Sequence, residues 1–260
     1  MNIEIIFFHI ILFLISFTAN SFSAIAGGGA GFIQLPALIL LGLPFPVALA
    51  THKIASVALG VGASLRHVKE KKLDFLLAFY ILFMGLPGVF IGASLALNIP
   101  NEIGTFSLGL LTLILGIYSA SNTNLGTTNR FEFSNISSLL IGGLGIFFIG
   151  FINGSLSSGT GLFVTFWLIR FMRLTYAEAV AYTLILVGLF WNATGALTMG
   201  LKGDFMLDWV PTLIFGSFFG GYTGAQISIS KGSKFIKKVF ETIAFILGTS
   251  LILKSLIFMG

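Results

Sequence analysis

A chain of 260 residues that is 56% hydrophobic and only 9% charged, with mean hydropathy +1.03, is too apolar to be a soluble domain. Its formal net charge of +5 forms no basic run on a polar domain, which excludes nucleic acid as a partner, and the absence of cysteine excludes disulfide and thiolate chemistry. His9, His52 and His67 are too scattered for a metal site, so no metal or other cofactor is expected.

The first apolar segment covers 5 to 25. Met1-Asn2-Ile3-Glu4 lacks the basic start of a signal peptide, and a counterpart recurs at 136 to 153, so the segment reads as a mature helix. It runs into a glycine-rich break, Ala26-Gly27-Gly28-Gly29-Ala30-Gly31, and a short helix at 30 to 42. Spans at 45 to 65, 74 to 96 and 103 to 120 follow and complete a first membrane repeat, 1–120. A polar linker, 121–135, placed on the cytoplasmic side, leads to a second repeat, 136–260. There the order recurs: an apolar segment at 136 to 156, the break Ser157-Ser158-Gly159-Thr160-Gly161, a short helix at 161 to 173, and spans at 176 to 198, 207 to 229 and 239 to 258. The internal match is residue-specific. Gly29-Ala30-Gly31 aligns with Gly159-Thr160-Gly161, Leu73-Asp74-Phe75 with Gly203-Asp204-Phe205, Gly92-Ala93 with Gly224-Ala225, and Leu115-Gly116 with Leu247-Gly248.

About 12 residues at about 1.5 Å rise cover roughly 18 Å of a roughly 30 Å hydrocarbon core, so the short helices fit re-entrant hairpins better than full crossings. Either way each half has an odd number of crossings, and the halves are inverted. Charge agrees. With Arg66 to Lys72 inside, inversion also puts Arg130, Arg170, Arg173, Lys231, Lys234, Lys237 and Lys238 inside and leaves only Lys202 in an outside loop. The expectation is an all-α polytopic membrane protein: two inverted repeats in one integral membrane domain, each a broken, re-entrant helical hairpin plus three transmembrane helices. It is placed as a multi-pass protein in the plasma membrane, the inner membrane of a bacterium, with both termini outside.

Irregular backbone survives inside a bilayer only where protein or a water-filled cavity satisfies its polar groups, so a duplicated break marks where a substrate could sit. Exposed N–H groups and the positive dipole end of a short helix favour an anion, and glycine lets it approach the backbone. Candidate binding residues are therefore Gly27, Gly28, Gly29 and Gly31 in the first break, and Ser157, Ser158, Gly159, Thr160 and Gly161 in the second. A tight hairpin packed against its neighbours would also want glycine. Lys53 lies eight positions into its helix, about 12 Å deep, where a cation costs about 2.5 to 3.5 kcal/mol and needs a partner. No carboxylate falls at that depth, so an arriving anion would supply the charge; the competing reading has Lys53 snorkelling, or deprotonated and bonded to carbonyls of the broken hairpin. Thr51 adds a hydroxyl, and His52 is either a packing histidine or a proton-sensitive group. Asn153, Asn192, Tyr182, Thr183, Gln34 and Gln226 read as interhelical hydrogen-bond glue, and the glycines at 85, 88, 92, 216, 220 and 224 as helix-packing positions.

Ile25-Ala26-Gly27-Gly28-Gly29, Pro36-Ala37-Leu38 and Ala48-Leu49-Ala50-Thr51-His52-Lys53 resemble the first-repeat signature of the TauE/SafE family of anion exporters, and Asn192-Ala193-Thr194 and Ile229-Ser230-Lys231-Gly232-Ser233-Lys234 are similar to its second-repeat patterns. That resemblance implies export of small sulfur-containing anions such as sulfite, sulfonates or thiosulfate. Family members often carry Asn where His52 stands, an acidic residue where Ser23 and Asn153 stand, and sometimes His and Lys where Tyr182 and Leu184 stand.

The function expected is a secondary transporter, an exporter working by alternating access with its site at the midplane between the repeats. An anion channel, or an importer of another small oxyanion or carboxylate, is the alternative. An enzyme is not expected, because no Ser/His/Asp set or His-rich helix is present. The expected partners are a small anion and the lipid bilayer, with a homodimer left open. In the native cysteine-free background, single cysteines at Asn101 and Lys202 should label with an impermeant reagent from outside, and ones at Lys71, Asn129 and Ser233 should not. Outside labelling at Ser233 would overturn the inverted arrangement.

Overall fold

Glycine, rather than loop length, sets where the helices stop and how closely they pack. The computed structural model describes residues 3–70, 73–96, 101–121, 136–157, 159–201, 203 and 205–259. The first half contains α1 (Ile3–Ala26), α2 (Ala30–Leu40), α3 (Phe45–Glu70), α4 (Phe75–Leu95) and α5 (Asn101–Ser121). The second contains α6 (Ile136–Leu156), α7 (Thr160–Phe171), α8 (Tyr176–Tyr182), a π-helical segment (Thr183–Trp191), α9 (Asn192–Gly200) and α10 (Val210–Met259). The linker expected at 121–135 lies outside the described residues from 122 onward.

The protein is all-α and polytopic: among the described residues, six helices are long and apolar enough to cross a membrane, Ile3–Ala26, Pro46–His67, Phe75–Leu95, Leu139–Leu156, Tyr176–Gly200 and Lys234–Leu256. Helices also form over the other two expected spans, 103 to 120 and 207 to 229. At 11 and 12 residues, α2 and α7 cover only about 17–18 Å at about 1.5 Å per residue. Helix starts carry legible chemistry. Asp74 caps α4, its carboxylate accepting from the Leu76 and Leu77 N–H groups, and Thr175 with Glu178 forms a reciprocal capping box on α8. Gly232, at φ 72°, divides α10 into two helices.

Lipid tails are as apolar as the side chains, so helices associate here by close backbone approach instead of by water exclusion. On α4, a Cβ at Gly88 would stand 2.2 Å from the Phe147 carbonyl oxygen and one at Gly92 2.0 Å from that of Phe151, while Gly150 and Gly154 of α6 press back on the Gly85 and Val89 carbonyls. The same device joins α1 to the first half of α10, where Gly216, Gly220 and Gly224 lie against the backbone of Phe13, Phe17 and Ser21. The first helix of each half thus packs on a later helix of the other half, α6 on α4 and α1 on the part of α10 that aligns with α4. Both contacts are parallel in register.

The equivalent long helices meet antiparallel. Lys53 and Gly60 of α3 lie against Gly195 and Gly188, and Gly116 and Leu113 of α5 against Ala244 and Gly248 of α10. Ser119 of α5 and Glu241 of α10 are joined by a hydrogen bond of 2.9 Å, with Lys237 donating to the same carboxylate at 2.6 Å.

These contacts leave no room for a side chain. Gly88→Val should overpack the α4–α6 seam and cost on the order of 1–3 kcal/mol, read as a lower melting temperature of the purified protein. Gly200→Ala, whose added methyl would find its nearest neighbour, the Phe205 ring, at 3.9 Å, should change stability by less than about 0.5 kcal/mol.

Candidate functional site

The two breaks touch backbone to backbone. A Cβ at Gly28 would stand 2.4 Å from the Gly161 carbonyl carbon and 2.5 Å from the Leu162 nitrogen, and one at Gly161 would stand 2.8 Å from the Gly28 Cα. Each break reverses the chain through positive φ. Gly27, Gly28 and Gly29 stand at 83°, 146° and 106°, and Ser157 and Gly159 at 57° and 71°. Gly27 and Ser157 are equivalent positions, as are Gly29 and Gly159, so the left-handed turn is duplicated even where a serine must adopt it. Gly29 and Gly159 are the N-caps of α2 and α7 and, being glycine, supply no side-chain cap.

Beside this crossing lies a small cavity of about 40 Å³. The first break contributes Gly28, Gly29, Ala30 and Gly31, and the second contributes Ser157, Thr160 and Gly161. From α3 come His52, Ser56 and Leu59; from α1 and α6, Ser23 and Asn153; from the π segment and the start of α9, Thr183, Leu184, Val187, Gly188 and Asn192. Seven of the residues expected from sequence therefore share one cavity: Gly28, Gly29, Gly31, His52, Ser157, Thr160 and Gly161.

The others stand behind the wall. Gly27 packs against Thr165 and Val180, and its carbonyl accepts from the Thr165 hydroxyl at 2.8 Å; Thr165 also bonds Thr183 at 2.9 Å. Thr51 donates to the Val47 carbonyl and accepts from the Met206 N–H at 2.9 Å, fastening the chain before α10 to α3. Gly159 forms the turn into α7 without lining the cavity. Ser158 lies outside the described residues.

Lys53 is fully buried and also outside the cavity lining. Its ammonium donates to the Asn153 main-chain carbonyl at 2.8 Å and lies 3.4 Å from the Asn153 side-chain oxygen. Asn153 is in the last turn of α6, where its carbonyl also accepts from the Ser157 N–H at 3.0 Å and the helix dipole is negative, so an ammonium meets a favourable end. Room for it comes from Gly195, where a Cβ would stand 3.0 Å from Nζ. Of the two readings of Lys53, the geometry has the hairpin carbonyl as direct partner. The Asn153 amide donates onward to the Thr160 hydroxyl at 2.7 Å, and that hydroxyl donates to the Ser157 carbonyl at 3.1 Å. A chain of hydrogen bonds thus runs from the buried ammonium to the start of α7. His52 is 2% exposed, with the Ser56 hydroxyl 3.4 Å from both ring nitrogens, and is the one ionisable side chain lining the cavity among the described residues.

Sequence reasoning assigned Asn153, Asn192 and Thr183 to interhelical glue, yet all three line the cavity. Gln34 fits that role, accepting from Asn20 at 2.9 Å within a buried α1–α2–α10 cluster. The π-helical stretch left no signal in its uniformly apolar sequence. It forms where Gly188 and Gly60 cross, a Cβ at Gly60 meeting the Gly188 carbonyl carbon at 2.4 Å, and such widened turns are frequent at functional sites. Ser23 and Asn153 did carry a signal: they occupy equivalent positions in the two repeats, one turn before each break.

A chain folded around two membrane-embedded breaks that share a polar cavity belongs to the class of multi-pass membrane transporters, and comparison with known proteins agrees. The sulfite exporter TauE/SafE family model matches residues 12–251, and the chain belongs to that family. It is similar to a "Probable membrane transporter protein" of Haemophilus influenzae, 28% identical over 93% of this chain and 93% of the relative. It is also similar to "Probable membrane transporter protein ORF9" of a Sinorhizobium species, at 26% identity over 94% and 93%, and to "Probable membrane transporter protein YunE" of Bacillus subtilis, at 20% over 94% and 97%. No solved structure matches the chain significantly.

Thr160→Val keeps the shape but leaves the buried Asn153 amide without its acceptor, which should cost about 1–3 kcal/mol. Asn153→Ala should then cost less on the Thr160→Val background than alone, a coupling readable from melting temperatures in a double-mutant cycle. Gly29→Val strains a left-handed turn at φ 106° and therefore tests folding, not binding alone.

Proposed function

We propose that the chain is a secondary transporter that exports a small sulfur-containing anion of the sulfite, sulfonate or thiosulfate class, by alternating access at a site between the two repeats. The observation that carries this reading is the meeting of both breaks at one cavity, lined by the Ser23, Ser56, Ser157, Thr160 and Thr183 hydroxyls, the Asn192 amide and the glycine-capped starts of α2 and α7. Hydroxyls and helix-start N–H groups suit an oxyanion. The family's name supports the sulfur chemistry.

The antiparallel meeting of equivalent long helices supports inverted repeats, and the charge pattern supports both termini outside in a bacterial inner membrane. Outward movement needs no coupled ion, because an inside-negative potential contributes roughly 2.3 kcal/mol per charge per 100 mV to anion exit. In this reading Gly28, Gly29, Gly31, His52, Ser157, Thr160 and Gly161 face the anion, while Gly27, Thr51, Lys53 and Gly159 hold the wall in shape.

Ligand-induced thermal shift of purified protein against sulfite, thiosulfate, sulfonates, sulfate, carboxylates and halides tests this. A rise in melting temperature is expected with at least one sulfur oxyanion and none with carboxylates or halides. Saturable counterflow in proteoliposomes is expected for that anion; unitary current steps would replace the carrier with a channel.

A further inference from the structure

The cavity has two kinds of wall. Along α3, His52, Ser56 and Leu59 line it at spacings of four and three residues, one stripe of a helix in which the polar groups come first and the leucine last. This helix runs antiparallel to the π segment and α9, with Lys53 opposite Gly195 and Gly60 opposite Gly188, so Ser56 falls level with Asn192 and Leu59 lies toward Val187 and Leu184. One end of the seam therefore offers an imidazole, a hydroxyl and an amide. The other offers the hydrocarbon of Leu59, Leu184 and Val187, all buried, and the Thr183 hydroxyl beside them already bonds Thr165 at 2.9 Å. Among the described residues no carboxylate, Lys or Arg lines the cavity.

We propose that Leu59, Leu184 and Val187 form an apolar subsite for a short alkyl group, and that the preferred substrate is an alkanesulfonate whose three-oxygen head is held by the hydroxyl and amide donors of the polar walls. A tail carrying a charge or a hydrogen-bonding group would give up water at this subsite and find no partner there. The inference rests on the anion-transport reading and narrows it within the sulfur class: sulfite and thiosulfate enter without an alkyl group, leave the subsite unfilled and bind more weakly. A cavity of about 40 Å³ has room for about three or four water-sized groups, so the tail is short.

Methanesulfonate and sulfamate isolate the contact. Both carry a single negative charge on a three-oxygen head, and they differ only in a methyl group where sulfamate has an amino group. Their affinities for the purified full-length protein are measured by calorimetry at one neutral pH, with sulfite and thiosulfate as references that lack an alkyl group. A single carbon in an apolar pocket changes affinity by roughly 10–200-fold, so methanesulfonate should bind at least about tenfold more tightly than sulfamate. A smaller ratio, or binding of the references alone, would overturn the subsite while leaving anion transport standing. Failure of all four compounds to bind would overturn both readings.

Leu184→Asn supplies the protein-side arm, because it nearly keeps the shape of the side chain and puts an amide where hydrocarbon stood. The methanesulfonate-to-sulfamate ratio should fall by at least about threefold in this variant, since the amide gives the amino group a partner and the methyl group none. Loosened packing alone would weaken both anions alike and leave the ratio where it was, so the ratio separates selectivity from stability. Leu59→Asn, on the facing helix, makes the same test should Leu184→Asn fail to fold. A ratio held at its wild-type value in either folded variant would overturn the assignment of these side chains to the alkyl group.

Discussion

Gly28 and Gly161 cross with their backbones in direct contact, and the rest of the centre is arranged around that crossing. Two chain reversals can meet this closely only if neither carries a side chain at the contact, and each can reverse within three residues only through left-handed backbone. Once they meet, α2 and α7 begin at the same place, their first N–H groups gathered instead of scattered. Serine and threonine on the neighbouring helices can then complete a polar lining inside a protein whose other surfaces are almost wholly apolar.

The two halves share this architecture but not its charge. In the second break, the last turn of α6 is met by a lysine from α3. The Asn153 carbonyl there also accepts from the Ser157 N–H at 3.0 Å, while in the first break the equivalent carbonyl, that of Ser23, accepts from the N–H groups of Gly27 and Gly28 at 2.9 and 2.8 Å. A buried ammonium is tolerated because it lies at the negative end of a helix, with the Asn153 carbonyl as acceptor and the bare backbone of Gly195 beside its stem. The two breaks thus differ by one buried lysine, present at the second and without a counterpart at the first.

Around the centre, glycine-mediated seams bind α1 to the first half of α10 and α6 to α4 into pairs that span the two repeats. Between these pairs α3 crosses the π segment at Gly60 and Gly188, and α5 meets the second half of α10. The Ser119–Glu241–Lys237 cluster, with Tyr176 2.6 Å from Ser119, ties that last contact to α8.

Membrane residence, the all-helical class, the order of elements, the duplicated breaks and the family resemblance were determined by sequence alone, because hydropathy, glycine runs and repeat spacing are properties of local chain. The breaks were legible as binding candidates for the same reason: glycine at equivalent places leaves a mark that needs no partner to be read. Tertiary structure decided which of those residues face a shared cavity. It put His52 on the wall and its neighbour Lys53 behind it, since adjacent positions on a helix point about 100° apart and only the packing of α6 and α9 determines which direction is the interior. It also brought Asn153, Thr183 and Asn192 to the cavity and opened the helix over Thr183–Trp191 into a π turn. Polar residues in a bundle this apolar look alike in sequence, whether they join helices or line a site; what separates them is the neighbour each one meets, and the cavity gathers neighbours from both halves of the chain.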